Sequence, residues 1–167
     1  MTNLDLDLAK TISAVSKKEL GLLYYFPEEI ERALKENRAV IIEENGRLVG
    51  WGFWTIRNGP PRRASWLEVH TLYIYPEFRG RGYLNKFFDM AYQRLKDANL
   101  RAYFFTRAGA VMHMAEKYGF KKASVSDIPI SVWIKMLLHR LNPRRLSSYL
   151  KYGWRILGAW KWDVYIR

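Results

Sequence analysis

The stretch Leu72-Tyr-Ile-Tyr-Pro-Glu-Phe-Arg-Gly-Arg-Gly-Tyr-Leu84 limits what this chain can fold into more than any other. Trp66 to Tyr75 reads as a strand, and Pro76, which has no amide hydrogen for a sheet ladder, ends it. A turn with two glycines follows, and then a helix from about Gly82 to Asn99 with Phe87, Phe88, Ala91 and Leu95 on one face. Such a turn gathers backbone N–H groups at the positive end of a helix. Without Cβ atoms at Gly80 and Gly82 an anionic ligand can come close. Arg79 and Arg81 add fixed positive charge beside it. A diphosphate suits that bowl, although the four residues Arg-Gly-Arg-Gly taken alone favour a tight turn with solvated arginines.

The neighbouring segments set this unit in a mixed sheet. Asp7 to Leu23 reads as helical, with Ser16 and Glu19 spaced as a capping box for a second short turn. Pro27 opens a helix that stops near Asn37, with Glu28 and Glu29 at its positive end. Strands at Arg38–Glu43 and Arg47–Ile56 flank Asn45-Gly46, the strongest hairpin signal in the chain. A strand at Arg101–Thr106 and a short helix at Val111–Tyr118, stopped by Gly119, complete the body. The expected fold is α/β of the α+β kind: a mixed, mostly antiparallel central sheet flanked by helices. The 167 residues fit one domain, with a core at about 20–125 and an extension at about 128–167.

That extension is basic and aromatic. From Ile130 onward eight Lys/Arg face one acid, Asp163, within a net charge of +12 for the whole chain. Ile130, Trp133, Leu137 and Leu141 recur at helical spacing, and Asn142-Pro143 opens a second helix through Leu146, Leu150 and Trp154. Trp160 to Ile166 alternates as a final strand. Lys135, Arg140, Arg144, Arg145, Lys151 and Arg155 make this hairpin a nucleic-acid surface, an interfacial pair on an anionic membrane, or a helical layer covering the sheet or pairing two subunits. The absence of cysteine excludes disulfides, thiolate metal sites and a cysteine nucleophile. No metal is expected from three histidines, none spaced i, i+4 beside a carboxylate. Met1 to Lys10 carries Asp5 and Asp7 and no apolar run, so no secretory signal is read there and the cytoplasm is the expected compartment.

The segment from Leu72 to Gly82 resembles the acetyl-CoA motif of the GCN5-related N-acetyltransferase superfamily, Arg/Gln-x-x-Gly-x-Gly/Ala after a strand that ends in Pro-Glu. Ala115-Glu-Lys-Tyr-Gly-Phe120 is similar to the family's second helix, and the hairpin ending in Leu48-Val49-Gly50 to its opening half. The resemblance covers roughly residues 20 to 122. It implies an acetyl-CoA-dependent N-acetyltransferase acting by direct attack of an amine. It also implies that backbone groups of Leu72, Tyr73 and Ile74 pair with the pantetheine arm. Amides from Arg79, Gly80, Arg81, Gly82, Tyr83, Leu84 and Asn85 would hold the pyrophosphate. Two departures stand out: Leu84 replaces the motif's last small residue, and Ala115 stands where many members carry a tyrosine general acid. Tyr118, one turn further on, is the replacement candidate.

Acyl transfer needs the neutral amine, and a lysine-like amine gives up its proton at pH 7 at a cost of about 4.6 kcal/mol. Glu68 and His70 lie two residues apart on the strand before the turn, on one face, and are the candidate bases. Glu68 matches the position of the general-base glutamate in the histone-acetyltransferase branch, whereas imidazole has the better native pKa. The acceptor stays open among protein, small-molecule and RNA-linked or nucleobase amines. The reading from another class is a non-catalytic acyl-CoA- or nucleic-acid-binding module.

Overall fold

The computed structural model describes residues 3–19, 22–57, 65–98, 100–140, 143, 145 and 163–167. Strand β1 (Ala39–Glu44) returns as β2 (Arg47–Arg57) through Asn45 and Gly46. Both turn residues have positive φ, 50° and 71°, as a type I′ turn requires. Strand β3 (Trp66–Ile74) pairs antiparallel with β2, and helix α3 (Tyr83–Ala98) then carries the chain to β4 (Arg101–Thr106), parallel to β3. After helix α4 (Gly109–Lys117) come β5 (Lys121–Ala123), helix α5 (Ile130–Arg140) and β6 (Asp163–Ile166). The sheet order is β1-β2-β3-β4-β6-β5, with the β3–β4 pair parallel and every other pair antiparallel.

Strand alternation assigns each residue to a face. Val40, Ile42, Trp54, Leu67, Ala102, Phe104 and Tyr165 pack with Phe87, Phe88 and Ala91 of α3 and Met114 and Ala115 of α4. Gly52 belongs to this face, where a Cβ would sit 1.9 Å from the Phe87 ring. The opposite face has two covers. Helices α1 (Asn3–Lys18) and α2 (Pro27–Lys35) bury Trp51, Phe53 and Tyr73, and α5 buries Trp66, Tyr103 and Val164. Between these two apolar clusters the strands present Thr55, Arg57, Glu68 and His70, a polar seam on an otherwise greasy face.

The observed elements depart from expectation in a few places. Helix α1 begins at Asn3 and ends at Lys18, ahead of the expected Asp7–Leu23. No capping box forms at Ser16 and Glu19. Ser16 is buried inside the helix, where its hydroxyl donates to the Ser13 carbonyl (2.9 Å) and accepts from the Tyr25 amide (3.3 Å). The three-residue β5 was too short to give a period and was not foreseen. Helix α5 covers the stretch expected as the first arm of a C-terminal helical hairpin. Of the second arm only Pro143 and Arg145 fall among the described residues, and Trp160 to Trp162 of the expected final strand lie outside them.

Candidate active site

The glycine turn opens α3 as its sequence demands. Gly80 and Gly82 have φ of +79° and +83°, where an L side chain is strained, although a Cβ at Gly80 would meet nothing within 4 Å. The requirement is conformational. Arg79 donates its amide to the Pro76 carbonyl (3.2 Å) and Asn85 donates to Gly82 (3.0 Å). The intervening amides of Gly80, Arg81 and Gly82 have no main-chain acceptor among the described residues, and those of Tyr83 and Leu84 lie in the first helical turn, where orphan donors gather. Arg79 Nε caps the Ile74 carbonyl (3.0 Å), and Arg81 lies over the Phe78 ring (5.5 Å). The Tyr83 hydroxyl donates to Glu44. Leu84 packs against the α3 core cluster, which accommodates its bulk.

Upstream, the parallel pair comes apart. Its register runs from Trp66/Arg101 to Glu68/Tyr103 and stops, while β3 continues to Ile74 and β4 to Thr106. A bulge accompanies the split: Trp51 faces Tyr73 and Phe53 faces His70, so three steps on β3 oppose two on β2. Thr71 sits in the bulge at φ 55°, an outlier for a β-branched residue. Main-chain groups of β3 beyond Glu68 therefore border an opening.

That opening is a cavity of about 410 Å³. Val69, Phe87, Phe88 and Phe104 line it from the α3 face, and Leu22, His70 and Phe105 from the other. It thus passes through the sheet, with Thr71, Leu72 and the Thr106–Ala108 segment at the crossing. Thr106 is held by its own segment, since its hydroxyl accepts from the Ala108 amide (3.1 Å).

Of the candidate catalytic residues, His70 alone lines the cavity. Its Nδ1 lies 2.8 Å from the Tyr25 hydroxyl and 3.4 Å from Thr71 Oγ1, and its Nε2 lies 2.9 Å from Thr55 Oγ1. The Tyr25 ring stacks on it, 5.4 Å between centroids and 4° apart in plane. Glu68 points to the same face, as expected, but it is 2% exposed beneath α5. Arg57 donates to it from Nε (2.7 Å) and pairs through Nη2 (2.6 Å). Tyr118 is outside the lining. Its hydroxyl donates to Asp89 on α3, a bond that raises its pKa, and its ring packs on Phe88 and Tyr92. Tyr73 is held too: burial and a hydrogen bond to Glu19 (3.1 Å) push its hydroxyl pKa up to about 12. Among the described residues no group of three or more His, Cys, Asp or Glu could hold a metal ion.

Of the tail's six cations, the described side chains are those of Lys135, which is exposed, and Arg145, which is not. Arg145 is fully buried against Glu29 (2.6 Å). His139 on α5 is half-buried, 4.0 Å from Glu29. Burial, with Arg145 and Arg57 nearby, lowers its pKa to about 4 and keeps it neutral at pH 7. No helix among the described residues is long and apolar enough to cross a membrane.

A helix-opening glycine turn, a parallel pair that splits beside it, and a cavity through the split are the geometry an acyl-CoA needs. Residues 9–120 match the acetyltransferase (GNAT) family, two thirds of the chain. The chain belongs to the GNAT acetyltransferases. No curated protein matches it by sequence. Among solved structures it is similar to Rv2747 of Mycobacterium tuberculosis, in complex with CoA, at TM-score 0.69 and 16% identity over 96% of this chain and 93% of that one. The N-acetylglutamate synthase of Neisseria gonorrhoeae, complexed with coenzyme A and N-acetyl-glutamate, matches at TM-score 0.63 and 17% identity over 100% of this chain but 33% of its own. The ribosomal-protein-alanine N-acetyltransferase of Brucella melitensis matches at TM-score 0.54 and 18% identity, over 74% of this chain and 83% of that one. These identities establish a shared fold. Family membership makes the protein an acetyltransferase with an acyl-CoA donor.

The residues not foreseen are Tyr25, Thr55 and the strained Thr71 around His70, and the Arg57 that neutralises Glu68. A tyrosine in a loop and an arginine at a strand end carry no local signal. Their roles arise from sheet register and helix packing.

Proposed function

We propose that this acetyltransferase moves the acetyl group of acetyl-CoA to the α-amine of an amino acid or peptide, with His70 as general base. The observation that supports the reading most is His70's place on the cavity wall at the split of β3 and β4, while Glu68 is occupied by Arg57. The amides around Gly80 and Gly82 receive the pyrophosphate, and the β3 edge at Leu72 to Ile74 receives the pantetheine arm. The amine enters from the face lined by Leu22 and His70. The amine proton reaches His70 Nδ1 through a hydroxyl already beside it, Tyr25 at 2.8 Å or Thr71 at 3.4 Å, which passes its own proton to the ring and takes the amine's as the amine nitrogen attacks the thioester carbon. With Nδ1 as the base, Nε2–H already donates to Thr55 Oγ1, and the Tyr25 hydroxyl turns from donor to acceptor, so both nitrogens of the imidazolium keep a partner. The C–S bond then breaks. A thiol with a pKa of about 8.5 leaves without strong acid assistance, so Ala115 in place of a tyrosine is tolerable and solvent can supply the proton.

Energetics favour an α-amine over a lysine. With a pKa of about 7.8, an α-amine loses its proton at pH 7 for about 1 kcal/mol, against about 4.6 for a lysine. A modest imidazole base suffices for the first. Two of the similar structures also concern α-amines, by their names. The RNA-linked acceptor that the basic tail suggested is weakened, since Arg145, one of its six cations, is buried on Glu29.

The chain has no cysteine, so a chromogenic thiol reagent reads released CoA without background from the protein. With a panel of L-amino acids and tripeptides, His70→Gln should lower kcat/KM about 100-fold or more at pH 7. Raising the pH should recover part of the loss as the amine deprotonates itself. Unchanged kcat/KM in His70→Gln would refute the assignment, and binding of acetyl-CoA without turnover of any amine would favour a binding module.

A further inference from the structure

Arg145 lies beyond the family-matched residues 9–120, yet it packs on Tyr25, the residue that contacts His70. It is 0% exposed, and every nitrogen of its guanidinium is used. Nε donates to the Tyr24 carbonyl (2.9 Å), Nη1 to the His139 carbonyl, and Nη2 to both carboxylate oxygens of Glu29 (2.6 Å each). Its plane lies over the rings of Tyr25 (5.3 Å) and Phe26 (5.7 Å). One side chain therefore ties α5, α2 and the loop before α2 together. A lysine could not, because an ammonium lacks the planar fork that serves three acceptors at once.

The loop so held carries Tyr25. Its carbonyl accepts from Ser13 Oγ (2.7 Å) and its hydroxyl stands 2.8 Å from His70 Nδ1. The contacts run unbroken from Arg145 through the Tyr24–Phe26 segment to the imidazole. Without Arg145 the Glu29 carboxylate would keep the Phe26 amide (3.0 Å) but lose its buried counter-charge, and the loop would keep only the Tyr25–His139 ring contact (6.1 Å) in place of its hydrogen-bonded tie to α5. Besides Arg145, the charged and titratable groups around Tyr25 and His70 are Glu29 on α2, His139 on α5, the Arg57–Glu68 pair on the sheet and Arg107, which lines the same cavity as His70.

We propose that Arg145 is a positioning residue: from the C-terminal extension it fixes the Tyr24–Phe26 segment so that the Tyr25 hydroxyl holds the His70 ring in working orientation. The proposal rests on the reading of His70 as general base.

The test uses the full chain, acetyl-CoA and the fastest amine of the panel. Arg145→Met and Tyr25→Phe should each lower kcat/KM for the amine about tenfold or more and shift the acidic limb of its pH profile in the same direction. CoA affinity by calorimetry should stay within about twofold. Arg145→Lys should not restore the profile. Added to His70→Gln, either substitution should cost little more, because the three residues act as one unit. Tyr25→Phe removes one oxygen and carries the test should Arg145→Met fail to fold. Folded variants with an unshifted profile, or with losses that multiply that of His70→Gln, overturn the proposal. Wild-type kcat/KM in His70→Gln would instead overturn the base reading, and this proposal with it.

Discussion

Replacing Glu68 by Gln tests whether this residue builds the site or works in it. Glu68 and Arg57 are 2% and 8% exposed, with contacts of 2.6 and 2.7 Å, so neither charge has water to fall back on. Glu68→Gln keeps the shape and one acceptor but leaves a guanidinium uncompensated beneath α5. Breaking a buried pair in this way costs about 3–5 kcal/mol. At about 2–4 °C per kcal/mol for a domain of this size, the melting temperature should fall by about 10 °C. Removing both charges, with Arg57→Met and Glu68→Leu together, should recover most of that loss, since apolar replacements of buried pairs are often neutral or better. Thermal unfolding followed by circular dichroism gives the first number and thiol release the second. The double variant should retain kcat within a few-fold. Glu68→Gln melting within about 2 °C of wild type but losing kcat 100-fold would refute the reasoning, as would a stable double variant that is equally inactive. Either result would make Glu68 the base.

Acid should destabilise the fold through His139. Its pKa is about 4 when folded and about 6.5 when unfolded, so the unfolded chain binds the extra proton first. The stabilisation is complete above pH 6.5, fades as the pH falls and is gone below about 4. Its upper bound is about 3 kcal/mol, reduced by solvent screening because about a third of the side chain is exposed. Urea midpoints at pH 7, 5.5 and 4 should fall less steeply in His139→Gln than in wild type, and parallel curves would contradict the assignment. Tyr118→Phe should leave kcat within about twofold in the thiol assay, because its hydroxyl is spent on Asp89 outside the cavity. A 100-fold loss would make Tyr118 the general acid after all.

Much of the scaffold was legible because local chemistry dictates it. Asn45-Gly46 demands a hairpin, Pro76 ends a strand, and Gly80 and Gly82 take the positive φ that their turn requires. The shared face of Glu68 and His70 followed from strand period alone. Which of them lines the cavity and which pairs with an arginine did not, because that depends on which strand end lies alongside. Thr55 pairs with Glu68 in register, which brings Arg57 within reach of the carboxylate. Tyr25 meets His70 across 45 residues and Arg145 meets Glu29 across 116, and no window along the chain contains either pair. The bulge at Thr71 was hidden too, since a bulge is a property of two strands. Composition misled at Arg145: a cation counted as surface charge is fully buried, with every guanidinium nitrogen hydrogen-bonded.

The claim beneath all of this is that the turn at Gly80 and Gly82 receives the phosphates of an acyl-CoA. Calorimetric titration of the wild-type protein with CoA, repeated on Gly82→Val, measures it most directly. Wild type should bind with a clear heat. Gly82→Val, forcing a β-branched side chain into φ +83°, should stay folded and weaken binding at least tenfold. No heat with wild type, or equal affinity in a folded Gly82→Val, would contradict the account.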